Sequence, residues 1–270
     1  MRENRLSLRP QNKAAALWWA VISILRSLVA FLLGGDTCVR CGKPGGVYPL
    51  CPPCMKHFAE TALSVSSESA SERCAVCGKA LISEIGLCSA CREQPVLEHT
   101  DGAFPLYSYA LWRKSLLFAW KSAEKRTLSL VFARIVYTAY ESLCGRYQSR
   151  LSVVPVPPRP GKIKERGWDQ IDELCHFLHK GWNVPVLKLL SRRSWGQQKK
   201  LGRLARRRGA ECSYTLANEK RLRRLCPVPP DAVILLDDVM TTGSTVDVCA
   251  RLLKAFGIKK VYALTLFSVS

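Results

Sequence analysis

Three motifs that mark common enzyme classes are missing from this chain. It contains no His-Glu-x-x-His, no Gly-x-x-x-x-Gly-Lys and no Gly-x-Ser-x-Gly, which excludes a zincin-type metalloprotease, a P-loop nucleotidase and a nucleophile-elbow hydrolase. Acidic side chains are scarce, since 21 Asp and Glu stand against 41 Lys and Arg, for a net charge of +20. Such an excess attracts polyanions such as nucleic acid, nucleotides or anionic lipid, although a solvated basic surface without a partner would have the same composition.

A small-residue cleavage site is also missing after the longest apolar run. Residues 14–35 contain a single charge, Arg26, and their length would permit a membrane span. A charge near the centre of a span costs about 2.5–3.5 kcal/mol on insertion scales. We therefore expect an apolar helix that packs on the protein or lies on a membrane surface, with a span as the alternative.

The 13 cysteines would indicate disulfides in a small secreted protein, but eight of them form four Cys-x-x-Cys pairs. That pattern is typical of metal binding in a reducing compartment. Two knuckles of this kind supply the four thiolates of a closed zinc site, so we predict two structural zinc ions, each held within one repeat. Pairing across the repeats, and disulfides or free thiols, are the alternatives. The predicted ligands are Cys38, Cys41, Cys51 and Cys54 in the first repeat and Cys74, Cys77, Cys88 and Cys91 in the second.

Residues 232–245 carry the densest functional pattern. Five apolar residues, typical of a strand buried on both faces, lead into Asp237 and Asp238. The turn and helix start that follow offer backbone N–H groups and hydroxyls to a phosphate. The two carboxylates cannot bind that phosphate, but they suit neighbouring sugar hydroxyls or a Mg²⁺ held through water. The predicted phosphate-binding residues are Thr241, Thr242, Gly243, Ser244 and Thr245.

A second segment is predicted to lie at the same edge of the sheet. Residues 151–157 are predicted to form a buried strand ended by prolines, and open α/β sheets bind ligands at the carboxyl ends of their strands. The loop that follows is cationic, which would neutralise a pyrophosphate or would be solvated charge. Its predicted pyrophosphate-binding residues are Arg159, Lys162, Lys164 and Arg166.

The most basic part of the chain is residues 188–224, with 13 Lys or Arg against two Glu, a net +11. Its aromatic residues are sparse, Trp195 and Tyr214, so it is a poor stacking platform for single-stranded nucleic acid. It would serve better as a surface that follows a phosphate backbone. A solvated loop-and-helix region is the alternative.

These segments resemble known families. Residues 232–245 resemble the phosphoribosyl-pyrophosphate (PRPP) signature of type I phosphoribosyltransferases: an apolar strand, Asp-Asp, an apolar pair and Thr-Thr-Gly-x-Thr. The Pro-Val-Pro that ends at Pro157 and the Arg-Gly-Trp-Asp-Gln that begins at Arg166 resemble blocks of ComF-type competence proteins, with Asp169 where that family has Asn. The resemblance runs from about Cys38 to the C-terminus and includes the paired knuckles.

The resemblance implies an α/β fold with a mainly parallel sheet of the type I phosphoribosyltransferase kind, preceded by two small four-cysteine zinc ribbons. We expect a basic and apolar N-terminal helix in residues 1–36, the double zinc ribbon in 37–95 and the phosphoribosyltransferase-like domain in 96–270.

The resemblance also implies PRPP and Mg²⁺ as ligands, with Asp237 and Asp238 as the catalytic pair that grips the ribose diol. No acceptor is specified. The alternative is a non-catalytic competence factor that handles single-stranded DNA together with competence and recombination proteins, and keeps the phosphoribose pocket as a sensor or relic. For either function we expect a cytoplasmic protein, with inner-membrane surface contact through residues 14–35 as an option.

Overall fold

The protein is an α/β structure, seen here in a computed structural model. In chain order its elements are β1 (Asp36–Thr37), β2 (Pro44–Gly46), α1 (Pro52–Glu60), α2 (Ser89–Glu93), β3 (Gly102–Ser108), α3 (Trp112–Lys121), α4 (Thr127–Arg146), β4 (Ser152–Pro155), α5 (Lys162–Arg166), α6 (Gln170–Trp182), β5 (Leu190–Arg192), β6 (Tyr214–Leu216), α7 (Glu219–Leu225), β7 (Ala232–Met240), α8 (Ser244–Ala255) and β8 (Lys260–Ser268).

The structure describes most of the chain from residue 35 onward. Most of residues 1–34, and the central part of the basic window 188–224, lie outside the described residues. No helix in the described part has both the length and the apolar character that a membrane crossing requires. The described residues are 35–46, 48–63, 73–109, 112–123, 125–193 and 213–269, with the isolated helical positions 17, 21, 24, 25 and 28.

Four parallel strands form the central sheet, in the order β3-β8-β7-β4. Helix α8 connects the neighbouring strands β7 and β8, which pair along their whole length, and β4 pairs with β7 at one edge. A parallel sheet of this kind needs helices on both faces. The predicted parallel α/β sheet is confirmed.

Strand β7 shows why its sequence is apolar without interruption. Ile234 and Leu236 face a core built with α3, α4 and α6, whereas Val233 and Leu235 face a second core built with α8 and the β5–β6 pair. All four side chains are fully buried, as the two-residue period of a strand between two layers requires. The strand also runs further than the predicted residues 232–236, because β8 continues to pair with it as far as Met240.

The two cysteine repeats fold alike and lie on opposite faces of the sheet. In the first knuckle of each repeat, the first cysteine donates its N–H to a lysine carbonyl and its own carbonyl accepts from a glycine N–H, at 2.8 and 2.9 Å around Cys38 and again around Cys74. The first repeat joins the core on the α4 face, where Phe58 of α1 stacks on Tyr107 of β3 at 4.2 Å between ring centroids. The second repeat joins the core on the α8 face.

The knuckle glycines provide a matched pair for a stability test. Gly78 has φ +68°, and a Cβ there would lie 1.8 Å from the backbone oxygen of Ala103 in β3; Gly42 has φ +72° and no atom within 4 Å of such a Cβ. We expect Gly42→Ala to cost about 1–2 kcal/mol, the usual penalty of a left-handed alanine. Gly78→Ala should cost more than about 4 kcal/mol, because backbone must also move. Urea denaturation measures both, and equal losses would contradict the contact with β3.

Candidate functional site

The candidate site lies at the carboxyl edge of the sheet, where two neighbouring strands end at different heights. Pairing between β4 and β7 reaches Leu236, and Val156 N–H donates to the Leu236 carbonyl at 2.9 Å. Strand β7 continues beyond that point to Met240. Asp237 and Asp238 therefore belong to the strand itself rather than to a turn after it, and they lie where β7 has left its partner β4.

A lysine from another element compensates this acidic pair. Lys121, the last residue of α3, places its Nζ 2.7 Å from Asp238 Oδ2, and Asp237 Oδ1 accepts the N–H of Asp238 at 2.8 Å. Burial, reinforced by the adjacent Asp238 carboxylate, raises the pKa of Asp237 to about 8, although Lys121 acts in the opposite direction. Near neutral pH Asp237 is therefore protonated, beside the ion pair of Lys121 with Asp238.

The raised pKa of Asp237 makes the stability of the protein depend on pH. The native state holds this proton up to about pH 8, whereas an unfolded Asp loses it near pH 3.9, so the free energy of unfolding should fall as the pH rises through this window. We expect Asp237→Asn, which mimics the protonated form, to flatten the profile and to be more stable than the wild type at pH 8.5, by on the order of a few kcal/mol. Urea denaturation of both proteins from pH 5 to 8.5 measures this. Parallel profiles would show that Asp237 is ionised throughout.

The predicted phosphate-binding turn follows β7 directly and opens a twelve-residue helix. Gly243 has φ +74° at the N-cap of α8, and no side chain caps the helix. The backbone N–H groups of the first turn, which have no partner within a helix, are thus suited to an anion. Thr242 Oγ1 and Ser244 Oγ lie 2.9 Å apart and add hydroxyl donors beside them.

The segment that follows the second cysteine cluster supports this turn from behind. A Cβ on Gly243 would lie 2.9 Å from a methyl carbon of Leu97. Asp247, in the first turns of α8 and 6 % exposed, accepts the N–H groups of Glu98 and His99 on Oδ1 at 2.7 and 2.8 Å. Its Oδ2 lies 3.0 Å from His99 Nδ1. The Asp247 carboxylate therefore connects the segment that follows the second repeat to helix α8, which begins at the phosphate-binding turn.

Removing this carboxylate should destabilise the protein measurably. In Asp247→Ala two backbone N–H groups and one imidazole lose their acceptor, and each such loss costs about 1–3 kcal/mol where the group is buried. Because these groups are partly exposed, we expect the free energy of unfolding, measured by chemical denaturation, to fall by about 2–3 kcal/mol in total. The control Asp231→Ala removes an exposed carboxylate that pairs with the exposed Lys259, and should change the stability by less than about 1 kcal/mol. Equal effects would contradict the anchoring role.

The predicted pyrophosphate loop contains a short helix, α5, between two glycines with positive φ. Two of its four cations pair with carboxylates of the same segment: Arg159 with Glu165 and Lys162 with Asp169 at 2.5 Å. Arg166 Nη1 donates to the backbone carbonyl of Lys121 at 3.0 Å, the residue whose ammonium pairs with Asp238. The fourth, Lys164, is exposed.

Asp169 has a structural task that its place in the sequence did not reveal. It is the N-cap of α6, and its Oδ1 accepts the N–H groups of Ile171 and Asp172, each at 3.0 Å. Its Oδ2 holds Lys162. The negative charge that replaces an asparagine is thus compensated within its own segment.

Each four-cysteine cluster could hold a zinc ion. The four sulfurs of each group lie within 4.8 Å of one another, and each group comes from one repeat, so the structure does not pair cysteines across repeats. Cys41 and Cys51 are 3.7 Å apart at sulfur, as are Cys77 and Cys88. Four sulfurs at about 2.3 Å from a tetrahedral zinc are about 3.8 Å apart. All eight are free thiols, and their spacing therefore fits a metal rather than disulfides.

Hydrogen bonds from the backbone prepare the first thiol of each knuckle pair for a metal. Burial would raise the pKa of Cys38, but hydrogen bonds from backbone N–H groups outweigh it and lower the pKa to about 6. The same balance lowers the pKa of Cys74 to about 7. Burial and the neighbouring thiols raise the pKa of Cys54 to about 12. A cluster in which one thiol ionises readily while another resists ionisation is stabilised by a cation at its centre.

Comparison with known proteins supports the resemblance to ComF-type competence proteins. A search against models of protein families finds no match. Competence protein F of Haemophilus influenzae (strain ATCC 51907 / DSM 11121 / KW20 / Rd) is 26% identical to this chain over 219 residues, which cover 70% of the chain and 93% of the relative. The chain is homologous to competence protein F. The homology to competence protein F, together with the two four-cysteine clusters, confirms the ComF-type resemblance.

Proposed function

We propose that this protein binds PRPP with Mg²⁺ at the carboxyl edge of its sheet and acts there as a phosphoribosyltransferase in a competence-related process. One observation carries the proposal: on a single strand–turn–helix, a half-buried acidic pair and an uncapped helix start stand only a few residues apart. A phosphorylated ribose carries its phosphate and its vicinal hydroxyls at a matching separation. Homology to competence protein F supports the competence-related role.

In this proposal the 5-phosphate binds the N–H groups and hydroxyls of residues 241–245, and Asp237 and Asp238 accept hydrogen bonds from the ribose diol. Lys121 then leaves Asp238, and its ammonium turns toward the phosphates. Mg²⁺, for which Asp237 and Asp238 would be the carboxylate ligands, directly or through water, would supply positive charge to the pyrophosphate. Arg166, which donates to the backbone carbonyl of Lys121, and the exposed Lys164 would compensate the departing pyrophosphate.

No side-chain nucleophile is required for such a transfer. If C1 of the ribose passes through an oxocarbenium-like state, catalysis comes from positioning the sugar and from neutralising the leaving group. The half-buried Asp238 carboxylate suits this task, since a negative charge in a partly desolvated site stabilises a developing cation more strongly than it does in bulk water. The acceptor is not specified by any residue of the site.

Isothermal titration calorimetry with PRPP and Mg²⁺, with and without candidate acceptors, tests the proposal. We expect one binding site per chain and no binding when Mg²⁺ is replaced by EDTA. Ribose 5-phosphate should compete, because it offers the same phosphate and diol. Heat changes indistinguishable from dilution at millimolar PRPP would refute the proposal.

A second function is favoured by the basic window, residues 188–224, with its net charge of +11. We propose that this surface contacts single-stranded DNA through its phosphates. The affinity should then fall steeply with salt, by a slope of about 0.7 per neutralised phosphate. Reversing Arg206, Arg207 and Arg208 to Glu should flatten the slope, whereas Lys259→Glu, an exposed lysine outside the window, should leave it almost unchanged. An unchanged affinity of the triple variant would exclude the window as the contact surface.

We further propose that both four-cysteine clusters hold structural zinc and that the protein works in the cytoplasm, where thiols stay reduced. The sulfur spacing supports zinc, because it matches a closed tetrahedral site. Mass spectrometry under native conditions should find two zinc ions per freshly purified chain. A value near zero would contradict this proposal without touching the proposal for PRPP.

A further inference from the structure

Two apolar surfaces of this molecule have no part in the proposed site. The first is an apolar stripe on the N-terminal helix, formed by Leu17, Val21, Ile24, Leu25 and Leu28. All five are helical, and their side chains are 47–67 % exposed. The spacing of four, three, one and three residues places them on one side of a helix. A stripe of this kind in water is the mark of an interaction surface.

The second surface is an apolar groove between the first cysteine repeat and helix α4. It encloses about 490 Å³ of empty space, part of it open to solvent. Tyr48, Met55 and Ala59 line it from the repeat and from α1, and Val131, Ile135 and Thr138 line it from α4. Leu130 and Arg134 of α4 complete the lining. A mainly apolar groove between two packed elements is the usual receptor for the apolar face of a helix.

The chain connects the two surfaces over a short distance. Six residues separate Leu28 from Gly35, and the seven steps of chain between these two positions span at most about 25 Å when extended. Gly35 lies against Gly46, since a Cβ on Gly35 would be 3.0 Å from the Gly46 oxygen. Tyr48, at the rim of the groove, follows Gly46 by two residues. The stripe is therefore tethered within reach of the groove.

We propose that the apolar stripe packs into this groove of its own chain and forms an additional layer over α1 and α4. Both surfaces are apolar, and their contact removes both from water. The short tether raises the effective concentration of the helix at the groove far above that of a second copy. The contact would clamp the first cysteine repeat, because Cys51 is the N-cap of α1 and Cys54 lies within this helix. A lipid surface and a second copy of the chain are the competing occupants of the stripe.

Photo-crosslinking distinguishes these occupants. A diazirine analogue of leucine at position 28 is irradiated in the full chain, alone and with vesicles of phosphatidylglycerol and phosphatidylethanolamine. We expect cross-links within one chain, to peptides of residues 48–59 and 130–138, with and without vesicles. Cross-links between isotopically distinct chains, to lipid, or to other segments of the same chain would each overturn the proposal.

Hydrogen–deuterium exchange gives an independent test with a matched control. Ile24→Glu with Leu28→Glu puts two charges on the stripe, and we expect several-fold faster exchange in residues 52–60 and 128–138. The control Ser23→Glu with Ser27→Glu shifts the same charges by one residue, about 100° around the helix, and should leave that exchange unchanged. Identical exchange in both variants would overturn the proposal even if the stripe variant folds normally.

Discussion

Replacing both Asp237 and Asp238 with Asn is expected to abolish the stabilisation of the protein by PRPP and Mg²⁺. A ligand at 100 times its Kd stabilises the native state by about 2.7 kcal/mol, and this shift should be seen in the wild type. In the double variant the ribose diol loses the carboxyl groups of both aspartates as acceptors, and Lys121 loses the carboxylate that it contacts at 2.7 Å. Thermal denaturation with and without the ligands measures the shift.

The matched control is Asp231→Asn, immediately before the first residue of β7. Asp231 precedes β7 and pairs with Lys259 on the surface, so its variant should keep the full ligand shift. The protein without added ligand should not be destabilised by the double variant, since burial of two carboxylates is unfavourable and Asn has the same shape. A double variant that is still stabilised by PRPP would remove the acidic pair from the site.

The second large effect is expected from loss of a metal. Cys77→Ser should lower the zinc content by one ion per chain and the free energy of unfolding by more than about 4 kcal/mol, because removal of a structural metal is among the most destabilising changes known. Cys51→Ser should do the same for the first cluster. Cys144→Ser is the control, since Cys144 is half-buried and belongs to neither cluster. Metal analysis and chemical denaturation measure the three variants.

The two metal sites should differ in their effect on PRPP binding. Leu97, behind Gly243, and the backbone of residues 98–99, fastened by Asp247, follow the second cluster directly. The Cys77 variant should therefore lose affinity for PRPP even at temperatures where it stays folded. The Cys51 variant should keep most of its affinity. Equal losses in the two variants would mean that the metals act through global stability alone.

Much of the architecture could be predicted from sequence because its signals are local. The apolar run of β7, the helical spacing that follows it and the repeated knuckles each specify an element within about fifteen residues. The structure confirms these elements, together with the parallel pairing of β4 and β7 that brings their carboxyl ends to one edge.

The residues that surround the acidic pair could not be predicted in this way. Lys121 reaches Asp238 across 117 positions of the chain, and no spacing rule connects a lysine at the end of one helix with a distant strand. Asp247 is also remote in sequence from its partners, because its Oδ1 accepts the N–H groups of residues 98 and 99. Its one local signal is an acidic residue in the first turn of α8, which by itself indicates only a favourable helix dipole.

The predicted C-terminal end of β7 is wrong for a physical reason. Two adjacent carboxylates normally mark the end of a buried strand, and the sequence prediction therefore ended the strand at residue 236. In the structure β8 keeps pairing, with Asp237 opposite Thr265 and Met240 opposite Ser268. The backbone bonds of the ladder and the ammonium of Lys121 together make the acidic extension of the strand possible.

The unequal burial of the two cysteine clusters has a kinetic consequence. Cys41 is exposed in the first cluster, whereas all four cysteines of the second are buried. Metal exchange proceeds by attack of an incoming ligand on an accessible coordination position, and oxidants likewise react first with exposed thiolates. If both clusters hold zinc as proposed, a chelator or peroxide would empty the first cluster long before the second, and the phosphate turn would keep its support after the opposite face of the sheet had lost its metal.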